Sequence, residues 1–211
     1  MSGVSASQSG VRNVPLVIAS GLVTIATGVV ISMTGEYQAF MVVGPMVICI
    51  GSGLIYTLDI GSGSGKWIGY QVLAGIGMGM SMQIAVIVCQ GVSAPKDLSE
   101  ASAIALFFQL LGGAVSISVA QAAFSNKLIQ SLTTKLGVQV AGEVLAAGAT
   151  GLRDLLTGSE LQAALESYML GLKDSYVVSI ALAGVCVLVA VLSVVFDRRK
   201  LGKGTGTAAM A

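Results

Sequence analysis

Five stretches of this chain carry no Asp, Glu, Lys or Arg: 14–35, 37–58, 67–95, 101–126 and 175–196. Each exceeds the roughly 20 apolar residues that an α-helix needs to cross a hydrocarbon core about 30 Å thick. Only 10% of the 211 residues are charged, where a soluble domain carries about 25%, and the mean hydropathy is +0.89. Buried helices of soluble proteins seldom stay uncharged for so long. The expected fold is therefore all-α: a polytopic membrane protein with five transmembrane helices, at about 14–35, 37–58, 67–94, 98–124 and 175–196. A polar segment, 1–13, precedes them and a tail, 197–211, follows. Residues 1–10 lack the apolar core of a cleavable signal peptide.

The connections differ in kind. "TGEY" is a tight turn, and "DIGSGSGK" is flexible. In "VSAPKDLSE", Pro95 ends one helix, and Asp97 with Glu100 has capping-box spacing for the next. The connection 125–174 reads as a long loop. Within it, "SELQAALESYMLGL" places Leu161, Ala164, Leu165, Tyr168 and Leu172 on one helical face, with Ser159 and Gln162 at capping-box spacing. That segment reads equally as a helix on the membrane surface or as a cap packed on the helix ends. Arg198, Arg199, Lys200 and Lys203 cluster in the tail. Positive charge marks the cytoplasmic side, which puts the C-terminus inside and the loop 125–174 outside.

Several chemistries are excluded or disfavoured. The chain has no histidine, so histidine-based catalysis and histidine-ligated zinc are out. Cys49, Cys89 and Cys186 stand singly in different apolar stretches and read as small fillers. "GSGSGKW" has three residues, not four, between its outer glycines, and Trp follows the lysine, so it is not a phosphate loop. No metal, cofactor or enzymatic activity is expected. The net charge of +1 shows no basic face for nucleic acid.

The polar residues inside the spans are more informative. On "ASAIALFFQLLGGAVSISVAQ", Ser102, Gln109, Gly112, Gly113, Ser116 and Ala120 fall on one face. An amide without a partner in hydrocarbon costs several kcal/mol, so this stripe must face protein or water. In the first span Ser20, Thr24, Thr27 and Ile31 line up. In the third, Gln71, Gly75, Met78, Gly79 and Met82 share a face, and Gly75 with Gly79 forms a GxxxG pair. The second span has a Gly44-Pro45 pair, which suggests a kink, and the fifth is nearly all aliphatic. Spans one, three and four thus carry polar faces, while two and five read as lipid-facing. Gly75, Gly79, Gly112 and Gly113 read as helix-packing residues. Gln71 and Gln109, with Ser116 and Thr24 behind them, are the candidates for a substrate path. Cross-helix packing is the competing reading of the same amides.

"GVSASQSGVRNVPLVIASGLVTIATGVVISMTGEY", "GSGKWIGYQVLAGIGMGM", "DLSEASAIALFFQLLGGAVSISVAQAAFSNKL" and "GATGLRDLL" resemble the C-terminal portion of fungal major facilitator superfamily efflux proteins. The resemblance is strongest to the fourteen-spanner drug:H+ antiporters, which include toxin exporters. It implies that these are the last five spans, that spans one, three and four border a central cavity, and that the C-terminus is cytoplasmic in a multi-pass protein of the plasma membrane. It also implies efflux of a small amphiphilic substrate, coupled to protons in a complete parent. Such a parent needs a second, N-terminal bundle. No Asp, Glu, Lys or Arg lies inside the five uncharged stretches, so coupling residues are expected in that other bundle, and the chain reads as truncated. The alternative is a non-transporting membrane protein that assembles through its glycine faces.

Overall fold

The computed structural model describes residues 6–59 and 62–196. Among these, the fold is helical: α1 (Ala6–Thr34), α2 (Gln38–Tyr56), α3 (Ser64–Ser81), α4 (Ile84–Val92), α5 (Leu98–Leu155) and α6 (Gly158–Phe196). A 3-10 turn, Pro95–Asp97, joins α4 to α5. Five stretches are long and apolar enough to cross a membrane, α3 and α4 together making one of them. The tail cluster from Arg198 to Lys203 lies outside the described residues.

The packing order across the membrane layer is α1, α3, α2, α6, α5, with α4 continuing from α3 to meet the start of α5. Glycine decides how close the neighbours come. A Cβ on Gly75 would lie 2.6 Å from the Leu16 carbonyl oxygen, and one on Gly79 2.5 Å from that of Ser20. On the opposite flank of α3, Gly51 of α2 meets the Ala74 backbone, and Gly77 meets the backbone of Ile48. Without a hydrophobic drive between helices in lipid, such close backbone approach is what small residues contribute. α2 is therefore held on two sides, between α3 and α6, rather than lying at the lipid-facing edge. The reason is that Gly44, Gly51 and Ser52 spread its small residues over buried contacts on that helix. It runs as one helix through Gly44 and Pro45.

The third span is not one helix. It breaks after Ser81, and Gln83 sits between α3 and α4 with φ −101° and ψ −11°. Gly75, Gly77 and Gly79, shortly before Ser81, supply weak helix formers at this point. Asp97 occupies the N-cap position of α5 without a side-chain capping bond, so the expected capping box does not form there. Ser159 lies inside α6, which starts at Gly158 with φ 61°. There Gln162 lies on the same side of α6 as Glu166, one turn on.

The segment 125–174 differs most from the expected long loop. Both bordering helices continue through it. The first section of α5, 98–136, and the whole of α6 are each about 58 Å long at 1.5 Å per residue, roughly twice the hydrocarbon thickness. The excess folds into a helical cap beyond the length that a membrane span needs. Gly137 (φ 84°) and Gly148 (φ 67°) let α5 turn back in two sharp bends, a conformation that side chains with a Cβ resist. The returning strap closes a core of Leu128, Leu132, Val144, Leu152, Leu156 and Tyr168. Phe124 stacks at a tilt on Tyr168, ring centroids 6.0 Å apart, and approaches Gly171 too closely to admit a larger side chain without adjustment. Ser131 donates to Ser167 across the pair at 2.8 Å, with both residues buried. The cap reading of 159–172 is the arrangement seen, because Ala164 and Tyr168 point into this core rather than onto a lipid surface.

Candidate functional site

The polar residues of the membrane layer separate into three environments. On α1, Thr24 faces α3. Its hydroxyl reaches the Ser20 carbonyl at 2.8 Å and the Gly79 carbonyl at 3.2 Å. In an unbroken helix the Gly79 carbonyl would accept from the N–H of Gln83, which lies in the break. Thr24 thus serves a carbonyl next to the discontinuity, and in this arrangement its hydroxyl works in packing. Thr27 and Ile31 continue the same buried edge, and Ile31 meets Tyr37 and Ile84 in a second cluster at the far end.

Gln71 is half-buried on α3, one turn before Gly75. Its Oε1 is buried and has no hydrogen-bond partner. An unsatisfied buried acceptor costs about 1–3 kcal/mol. Met78 and Met82 lie farther along the same face and are exposed. The face therefore grades from a buried amide oxygen to an open apolar strip between the flanks taken by α1 and α2.

Gln109 is exposed, on a stretch of α5 of which no residue is buried. A Cβ added at Gly112 or Gly113 would meet nothing within 4 Å. Ser116 turns its hydroxyl back to the Gly112 carbonyl at 2.7 Å. The stripe on α5 is therefore presented outward. It is not brought against Gln71, since α5 packs chiefly on α6 and α4. Its ends are tied down, at Ser102, which accepts from Gln90 of α4 at 3.2 Å, and at Ala120, whose carbonyl accepts from Ser175 of α6.

Other polar contacts went unsuspected from sequence. Ser175 of α6 donates to the Ala120 carbonyl at 3.0 Å. Lys173 pairs with Asp59 of the α2–α3 turn at 2.6 Å and lies over the Tyr56 ring, 5.8 Å from its centroid. Arg12 lies 5.8 Å over the Trp67 ring, which joins α1 to α3 at the same end of the layer. The sequence signal for these contacts is slight: cations and aromatic residues flanking apolar stretches, with no spacing that pairs them.

No family model matches the chain, and no solved structure matches it. Full-length fungal proteins do. The chain is 44% identical over 182 residues to an MFS-type transporter of Pestalotiopsis microspora, covering 86% of this chain and 33% of that protein. It is 43% identical over 195 residues to an MFS-type transporter of Trichoderma harzianum, 92% of this chain and 34% of the relative. An efflux pump of Aspergillus brasiliensis is 39% identical over 204 residues, 97% and 36% respectively. The chain spans about a third of the length of these relatives. They are named as transporters or efflux pumps, not as enzymes.

Proposed function

We infer that this chain, homologous over most of its length to about a third of fungal major facilitator transporters and efflux pumps, works as the cavity-bordering part of an exporter of small amphiphilic compounds. The single observation that carries the reading is that similarity, spread across all five spans. Five apolar stretches of spanning length and the unpartnered oxygen of Gln71 support it. In this reading Gln71 accepts a hydrogen bond from substrate, and Met78 and Met82 give the apolar, adaptable surface that an amphiphile needs. Gln109 and Ser116 face the same path from α5 once a second bundle is present. Proton coupling belongs to that bundle, because the uncharged stretches hold no Asp, Glu, Lys or Arg, and Glu100 lies in the first turn of α5, ahead of its apolar run. The protein resides in the plasma membrane with its C-terminus cytoplasmic and the cap outside, and it has no enzymatic role.

The test is a chimera. The matching third of the Aspergillus brasiliensis pump is replaced by this chain, and export of fluorescent amphiphiles is followed in cells. Export that depends on the insert, with a substrate ranking shifted by Gln71→Leu or Gln109→Leu at normal surface abundance, is expected. A chimera that reaches the surface and exports nothing would overturn the reading and favour the glycine-mediated assembly of a non-transporting protein.

A further inference from the structure

An open groove of about 570 Å³ runs along the first half of α6, a volume in the range of small-molecule sites. Its floor is apolar, made by Leu165, Met169 and Leu170. These residues share a helical face with Glu166 and Lys173. An ion pair stands at each end, partly exposed to solvent. Lys135 of α5 meets Glu166 at 2.7 Å, and Lys173 meets Asp59 at 2.6 Å. The hydrogen bond and the charge of Lys135 hold the Glu166 carboxyl below the usual carboxylate range. The two pairs are anchored seven residues apart on α6, which is about 10 Å along its axis.

The chemistry of the two ends is the same. An ammonium has three N–H donors, and each lysine here gives one to its carboxylate. A carboxylate likewise keeps lone pairs in reserve. Each pair therefore offers a donor and an acceptor side by side, with no net charge. A hydroxyl, which both donates and accepts, complements that pattern. A carboxylate ligand does not, because it would meet Glu166 or Asp59 as a like charge.

We propose that this groove is a binding site for a neutral amphiphile with a hydroxyl at each end, about 10 Å apart, and an apolar middle lying on Met169. The site lies outside the membrane spans and is independent of the export reading, since its occupancy is measured without transport.

The test uses the whole chain in lipid nanodiscs and radiolabelled octanediol with terminal hydroxyls, which separates them by about the required distance. Equilibrium dialysis is run against empty nanodiscs of the same lipid, which report partition alone. Saturable binding is expected above that background, about tenfold tighter than for butanediol or for octanol, which lack either the length or the second hydroxyl. Lys135→Met and Lys173→Met should each reduce octanediol binding to the level of octanol. Met169→Trp should fill the floor and abolish it, with helix content and elution volume showing that the variants fold. Uptake equal to that of empty nanodiscs, equal affinity for octanol, or binding indifferent to both lysine variants would overturn the site.

Discussion

The hydroxyl of Thr24 lies 3.2 Å from the carbonyl oxygen of Gly79, fifty-five residues further along the chain. It joins α1 to α3 just before the third span breaks. Thr24→Val keeps the shape and removes the donor, which should lower stability by about 1 kcal/mol. Thr24→Ser should restore most of it. Thermal unfolding of the purified chain in nanodiscs, followed by tyrosine and tryptophan fluorescence, checks this. Equal melting of the valine variant and the parent would mean that the bond contributes nothing.

Glycines on α3 and α5 should respond in opposite directions. Gly75→Ala and Gly79→Ala place a methyl against the α1 backbone and should cost about 1–3 kcal/mol by overpacking. Gly112→Ala and Gly113→Ala meet open space and should be neutral or up to about 1 kcal/mol stabilising through helix propensity. The same four changes made in a full-length relative test the outward stripe. A new penalty at the α5 pair, found only there, would show that another part of the transporter covers it.

The cap should open as a unit when its core is cut. Leu132 is fully buried, and Leu132→Ala should cost about 2–5 kcal/mol. Hydrogen exchange should then rise across 128–168 together, with the membrane halves of α1 to α3 unaffected. Exchange that rises only around residue 132 would deny the cap its cooperativity.

Orientation is open to chemical labelling. A cysteine at Val138, 77% exposed at the bend of the cap, should react in intact cells with a membrane-impermeant thiol reagent. One at Lys203 should react only after permeabilisation. The reverse pattern would invert the topology, and with it the side on which the octanediol groove opens.

Membrane character, helix class and the number of spans were legible in the sequence, because lipid imposes a local rule. Every backbone amide must be satisfied within its own helix, so an uncharged run of sufficient length declares itself without reference to its neighbours. Gly75 and Gly79 were legible as close-approach residues for a related reason, since a four-residue spacing puts two missing side chains on one face. Which helix they meet was not local information. The placing of Gly75 and Gly79 against α1, and of Gly77 against α2, was decided by packing. So was the exposure of the middle of the α5 stripe, Gln109 to Gly113, whose residue pattern matches a packed face although it is exposed among the described residues. The break at Gln83 was hidden because no charged residue or proline interrupts the run 67–94. The cap was one of two readings open for 159–172, and the helical course of the rest of 125–174 was not legible, because the pairing of Ser131 with Ser167 and of Lys173 with Asp59 joins residues 36 and 114 positions apart. Periodicity reports which face of a helix wants a partner. Only the tertiary structure, where the entropy of ordering distant segments is offset by shared burial, decides which partner that is.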